Sequence, residues 1–201
     1  GAIVGFGMTL AITMGGFDLS VDAVMALTSV FISILIPRAG IPIAILASII
    51  IAASVGLING LIITRLQVNP LITTLAMMTI VRGVALLVTG GKMIVIAQKQ
   101  FMEVGTGKIL GVPNPIYIML VLFAVFYFFL YHTRFGRHIA AVGSNENAAR
   151  ISGLNVNLIK VGVFILVSIT AAIAGTIRTS QALIGIPTMS PGFVLVAITV
   201  T

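Results

Sequence analysis

The chain has no cysteine, and only 15 of its 201 residues are charged, 11 basic and 4 acidic. The first absence excludes disulfides, thiolate metal sites and thiol nucleophiles, and leaves the redox compartment unread. The second is more decisive. Soluble domains carry about 25% charged residues, whereas this chain has 7%, with 59% hydrophobic residues and a mean hydropathy of +1.25. So few charges cannot cover a water-facing surface. Soluble folds drop out, and an integral membrane protein remains. The formal net charge of +7 does not point to nucleic acid, because the basic residues are scattered and lack aromatic interleaving; loops flanking membrane spans account for most of them. No G-x-x-x-x-G-K-[ST] stretch occurs, so hydrolysis of nucleotide by the P-loop route is excluded and any energy coupling must come from another subunit.

What is present is a series of apolar runs. A spanning helix needs about 20 mostly apolar residues, and the candidates are residues 1–15, 21–36, 41–63, 71–89, 115–131 and 159–177, with another starting near Phe193. The polar–apolar alternation of a barrel strand is missing, so these runs are read as helices that satisfy their own backbone. The expected fold is all-α: a polytopic transmembrane helical bundle forming one domain over 1–201. The chain opens at Gly1 and stops at Thr201, each inside an apolar run, and so reads as a piece of a longer protein. Connections are expected to be tight at Pro37-Arg38-Ala39-Gly40 and at 64–70. Those at 90–114 and 132–158 are longer, the former mixing Gly, Lys and apolar residues as an interface-lying lobe would.

Charge does not orient the bundle. With 132–158 on the inside, Arg65, Arg134, Arg137, Arg150 and Lys160 fall inside and Arg38, Lys92, Lys99, Lys108 and Arg178 outside, five against five. Small residues recur at every fourth position at Ser48, Ala52, Gly56 and Gly60, and again around Ser168, Ala171, Ala172, Gly175 and Thr176. Such stripes let helix backbones approach closely in a membrane. They imply a bundle and say nothing about chemistry.

Three segments are candidates for function. In GSNENAARISG (143–153), Ser144 or Asn145 can cap a helix, Glu146 suits the positive end of its dipole, Ala148 and Ala149 favour helix, and Gly153 can end it. The result is about two turns, marginal in water alone, so either the membrane surface or a partner protein must hold it. In GGFDLSVD (15–22), two glycines end one run, and Asp18 and Ser20 can cap the next, with Asp22 in its first turn. That is either a well-capped turn or a broken helix presenting polar groups to a pathway. Arg82 lies near mid-membrane in its run, where a charge costs at least about 2.5–3.5 kcal/mol unless paired or hydrated. It should face the interior, in a structural pair with Asp18 or Asp22 or as a pathway residue. Asn59 and Gln181 are weaker candidates of the same kind. His132 and His138 have no acidic triad partner and no repeated ligand spacing, so no catalytic or metal site is expected.

GGFDLSV, LINGLII (57–63), RGVALLVTGG (82–91), TRFGRHIAAVGSNENAARISGLNV (133–156) and AAIAG (171–175), in that order, resemble the permease subunits of bacterial ABC importers of the ribose and monosaccharide type. The likeness runs over essentially the whole chain, and 133–156 is its most specific piece. It implies the ABC importer permease fold, incomplete at both ends, in a bacterial inner membrane, paired with a second permease subunit as homo- or heterodimer. It also implies two ATP-binding cassette ATPase subunits on the cytosolic side, which bind the ATP, and an extracytoplasmic solute-binding protein. No cofactor is implied for this chain itself. Glu146, Ala148, Ala149 and Gly153 loosely match the E-A-A-x-x-x-G pattern of importer permeases, with Asn147 as one extra residue. The resemblance therefore assigns coupling to these residues and Arg150. It makes 132–158 the cytoplasmic coupling loop and 90–114 an extracytoplasmic loop. Asp22 departs from the family, which usually has Gly after D-L-S-V.

The expected function is a transport subunit without enzymatic activity of its own, working by alternating access for a neutral, hydroxyl-rich solute. The translocation-pathway candidates are Asp18, Ser20, Asn59, Arg82 and Gln181. The rival readings are a secondary transporter or channel using Asp18, Asp22 and Arg82 as a relay, a membrane enzyme using His132 or His138, and a structural scaffold.

Overall fold

The structure, a computed structural model, describes residues 1–188. The apolar run expected near Phe193 lies outside the described residues. Helix α1 covers Ala2–Thr13, α2 Val21–Ala39, α3 Ile41–Arg65 and α4 Pro70–Thr89. After a small lobe follow α6 (Asn114–His132), α7 (Arg134–Ser144), α8 (Glu146–Ile151) and α9 (Val156–Ala182). Helices α2, α3, α4, α6 and α9 are long and apolar enough to cross a membrane. With 12 residues, α1 reaches only about 18 Å, short of the ~30 Å hydrocarbon core. The run expected at 1–15 is thus a short helix. It stops at Gly15, whose φ of +80° lets the Gly16 N–H reach back to the Ala11 carbonyl at 2.8 Å.

The turn expected at 37–40 is tighter than its sequence suggests. Pro37 lies inside the last turn of α2, and Gly40 alone, at φ +80°, swings the chain into α3. A proline removes only the bond its own N–H would make to the carbonyl four residues back. The helix therefore closes beyond it, through the Gly40 N–H and the Ile36 carbonyl at 3.0 Å.

Helix α9 stands at the centre, packed against α1, α2 and α3. The small-residue stripe of α3 makes this possible. A Cβ on Gly56 would strike the Phe164 carbonyl, and one on Gly60 would lie 2.7 Å from the Val161 Cα. Gly175 does the same on the opposite flank, where a Cβ would sit 2.9 Å from the Met25 carbonyl. Such close approach replaces the hydrophobic drive that lipid removes. By contrast α6 buries none of its residues, and Phe123, Phe128 and Tyr131 stand exposed on it, as an outer helix facing acyl chains would have them.

Residues 90–114 form the small lobe. It contains β1 (Ile94–Val95), a 3-10 turn at Lys99–Phe101, α5 (Met102–Thr106), and a hairpin of β2 (Lys108–Ile109) and β3 (Val112–Pro113). Strand β4 (Ile184–Gly185), just after α9, pairs antiparallel with β1. The lobe and α8 lie at opposite ends of α9, since α5 packs near its last turn and Glu146 of α8 reaches its start.

Candidate functional site

Two polar constellations stand out from the apolar bundle. The first forms at the break between α1 and α2. Asp18 Oδ1 accepts the Ser20 backbone N–H at 2.8 Å and the Ser20 hydroxyl at 2.5 Å. The Asn59 amide, from α3, donates to the Ser20 Oγ at 3.0 Å. The Thr74 hydroxyl of α4 reaches the Phe17 carbonyl at 3.4 Å. Asp18, Ser20 and Asn59 are all 0% exposed. Three sequence-derived pathway candidates are thereby brought together, fully enclosed. Ser20 differs from the simple cap its position suggests. Its hydroxyl donates to Asp18 and accepts from Asn59, it makes no side-chain bond to the N–H groups of α2, and Asp18 receives the Ser20 N–H. Asp18 Oδ2 and Asn59 Oδ1 have no hydrogen-bond partner. In a dry interior such acceptors are costly, so the cluster has unspent polarity. Asn59 lies six residues before the end of α3, about 9 Å in, so the cluster belongs to the half of the bundle nearer α8.

Arg82 and Gln181 are not part of it. Arg82 stands eight residues beyond Thr74 on α4, about 12 Å further along the axis, and no ion pair joins it to Asp18. Its Nε is buried without a hydrogen-bond partner. Gln181 sits in the last turn of α9, where its amide donates to the Gly105 carbonyl at 3.2 Å. It grips the small lobe.

The second constellation is α8 with its surroundings. Asn145 is the cap, accepting the Ala148 N–H at 2.9 Å. Gly153, at φ +85°, turns the chain so that its N–H meets the Arg150 carbonyl and that of Leu154 the Ala149 carbonyl, both at 3.1 Å. Glu146 Oε1 accepts from Arg150 at 3.2 Å and Oε2 from Lys160 of α9 at 2.7 Å. The Lys160 hydrogen bond is the main cause holding the Glu146 carboxyl below its ordinary value; burial opposes it, and the charges of Lys160 and Arg150 assist. Between α8, the start of α9 and the α3–α4 turn opens a polar cavity of about 450 Å³, lined among others by Thr64, Gln67, Asn69, Glu146, Arg150 and Lys160.

The two turns of α8 are thus held in part by the chain itself. Ala149 is buried, 5% exposed, whereas Ile151 is 87% exposed. With Asn147, Ala148 and Arg150, Ile151 forms the outward surface of the helix. Sequence reasoning missed Lys160 as a partner of Glu146 and missed Ile151. A lone cation in the second turn of an apolar helix, just after a polar helix carrying Glu, was the available signal for the first. His132 stacks on Phe128 with centroids 5.2 Å apart. Among the described residues no group of three or more His, Asp or Glu gathers to hold a metal.

These features define a polytopic helical membrane protein with a short capped helix projecting at one end. Residues 2–201 match the family described as branched-chain amino acid transport system / permease component, and the chain belongs to that family. It is 38% identical over 202 residues to the ribose import permease protein RbsC of Escherichia coli (strain K12), covering 98% of this chain and 63% of the relative. It is 40% identical over 199 residues to RbsC of Bacillus subtilis (strain 168), covering 98% and 62%. It is 38% identical over 189 residues to the L-arabinose ABC transporter permease protein AraH of Azospirillum brasilense, covering 94% and 56%. The chain therefore spans less than two thirds of the length of these relatives. No solved structure matches. The resemblance drawn from the motifs is borne out by these relatives.

Proposed function

We propose that the protein is the permease subunit of an ATP-driven importer in a bacterial inner membrane, carrying a sugar or sugar-like solute. Similarity to ribose and arabinose permeases over nearly the whole chain supports the solute class. The observation that carries the ATP-driven part is α8: a helix of six residues, too short to persist alone, capped at both ends and clamped to α9 while its outer surface stays open. In this reading Glu146, Ala148, Ala149, Arg150 and Gly153 build the coupling helix. Glu146 and Ala149 face the chain, and Gly153 shapes its end. Ala148, Arg150 and Ile151 meet the cassette ATPase, which binds the nucleotide. Residues 132–158 are then cytoplasmic, and 90–114 extracytoplasmic, where a solute-binding protein docks. A second permease subunit completes the bundle. The Asp18–Ser20–Asn59 cluster, enclosed on the α8 side, is the inner closure of the pathway, with Arg82 farther along it. The chain has no enzymatic role of its own.

The test is a cysteine at Ile151 in the complete permease, which has no competing cysteine within this chain. Oxidative crosslinking to a cysteine-bearing ATPase subunit should succeed and vary with nucleotide. Absence of any crosslink in every nucleotide state, with ribose uptake into vesicles persisting after ATP depletion and collapsing with the proton gradient, would instead favour a secondary transporter built on Asp18, Asp22 and Arg82.

A further inference from the structure

Helix α9 runs 27 residues, about 40 Å at 1.5 Å per residue, so its ends stand on opposite faces of the bundle. Each end is gripped by directional polar contacts. Near the start Lys160, its side chain only 19% exposed, donates to Glu146 at 2.7 Å and ties α8 to the rod. At the far end the Ser180 hydroxyl donates to the Phe101 carbonyl at 2.5 Å and accepts the Gly105 N–H at 2.8 Å. Gly105 allows this: a Cβ there would lie 2.8 Å from both the Gln181 Cγ and the Ile177 carbonyl. The elements so held have five residues in α5 and six in α8. Neither length is stable alone, so each takes its position from its neighbours, α8 from α7 and α9, α5 from α9 and α6. No proline interrupts α9, and its contact with α3 at Gly56 and Gly60 resists a bend between the ends.

We propose that α9 is a rigid link carrying displacement of α8 to the Phe101–Gly105 backbone of the opposite lobe, with Lys160 and Ser180 as the positioning residues at its two ends. The proposal rests on the reading of α8 as the ATPase contact and deepens it. A helix held by its own hydrogen bonds transmits a push along its axis with little loss. What decides transmission is whether each end is fastened, and here a charge-assisted bond fastens one end and a buried double hydrogen bond the other. A solute-binding protein seated on the lobe would then feel the state of the ATPase through one helix, and by linkage the ATPase would feel the binding protein.

The experiment uses the complete permease assembled with its ATPase and binding protein in vesicles, and reads the fold-stimulation of ATP hydrolysis by ribose-loaded binding protein. Lys160→Met, losing one hydrogen bond, and Ser180→Ala, losing two, should each lower stimulation about 5-fold, at about 0.5–1 kcal/mol net per bond. Lys160→Arg, which keeps a cation there, should retain most of it. The double variant is the deciding one. The residues are 20 positions apart, about 30 Å along the helix, and effects at such distance ordinarily add in free energy, which gives about 25-fold. If α9 is the link, unfastening either end already breaks it, and the double variant stays within about 2-fold of the worse single. Multiplying effects, or singles that stimulate like wild type, overturn the proposal. Where a variant fails to assemble, amide exchange at Gly105 in the wild-type complex decides: a change on adding ATP to the ATPase supports the link, and none overturns it. A wild-type permease that captures no ATPase would sink the functional reading itself, whereas normal stimulation with independent variants sinks only the link.

Discussion

The break at Asp18 and the helix at Glu146 use the same materials, a carboxylate with a nearby partner in the chain and a link to another helix, and end in opposite conditions. The link runs through Ser20 to Asn59 in one and directly to Lys160 in the other. At the first, Asp18, Ser20 and Asn59 are all buried, the partners of Asp18 are the hydroxyl and backbone N–H of Ser20, and two acceptor oxygens are left without a donor. Around Glu146 the partners are cations, and its side chain is 41% exposed. The contrast teaches where specificity is held. Buried groups cannot fall back on water, so each bond of the first cluster is strict. Around Glu146 water can make up part of a lost bond, so each of those contacts is worth less and is screened by salt.

Replacing Asp18 should break this comparison most severely. Asp18→Ala leaves the Ser20 N–H and hydroxyl without an acceptor and is expected to cost about 2–4 kcal/mol. Asp18→Asn, which keeps an acceptor oxygen, should cost less than half of that. Thermal unfolding of the complete permease in detergent measures both, and equal losses would show that the hydrogen bonds do not hold the break. Next comes Gly60→Val, which strikes Val161 and forces the α3–α9 crossing apart for about 1–3 kcal/mol while removing no polar side chain, and so weighs backbone approach against polarity.

On the exposed side the effects shrink. Lys160→Met should cost about 1 kcal/mol, the charge-assisted bond discounted for the exposure of Glu146, and its effect should diminish in high salt. Arg150→Met removes only an exposed pair one turn apart and should cost about 0.3–0.5 kcal/mol. The smallest effect is that of pH. Because the folded Glu146 carboxyl is held below its ordinary value, its contribution is full above the unfolded value and is lost as pH falls through the folded one. Exchange protection of α8 should therefore be flat through neutral pH and drop only in acid below the ordinary carboxylate range. A drop near neutrality would reverse the assigned sign.

Much of this was legible in the chain. The apolar runs marked the spans because a bilayer permits few alternatives to helix. Asn145, Glu146 and Gly153 announced α8 because caps act locally, through atoms two or three residues away. The α3 stripe announced its own burial because spacing of four puts small residues on one face. Other assignments needed long-range contacts. Nothing in Gln181 or Ser180 says that they fasten a lobe some 75 residues earlier, as the Gly105–Ser180 bond does across 75 positions. Arg82 was expected to face the interior, paired with Asp18 or Asp22 or lining the pathway; its position along α4 sets it apart from Asp18, and sequence distance carries no axial register between helices. Pro37 looked like a turn because proline usually breaks a helix, yet it forfeits only the bond to the Ser33 carbonyl and the next turn closes beyond it.

By itself, then, the sequence determined the solvent, the helical class, the two-turn helix with its caps and the family, since each follows from composition, local bonding or motif order. Only the tertiary structure decided that Ser20 bridges Asp18 to Asn59, that Lys160 clamps Glu146, and that α9 joins both faces. Those depend on which helix lies beside which and at what height, a choice made by close packing of the whole bundle.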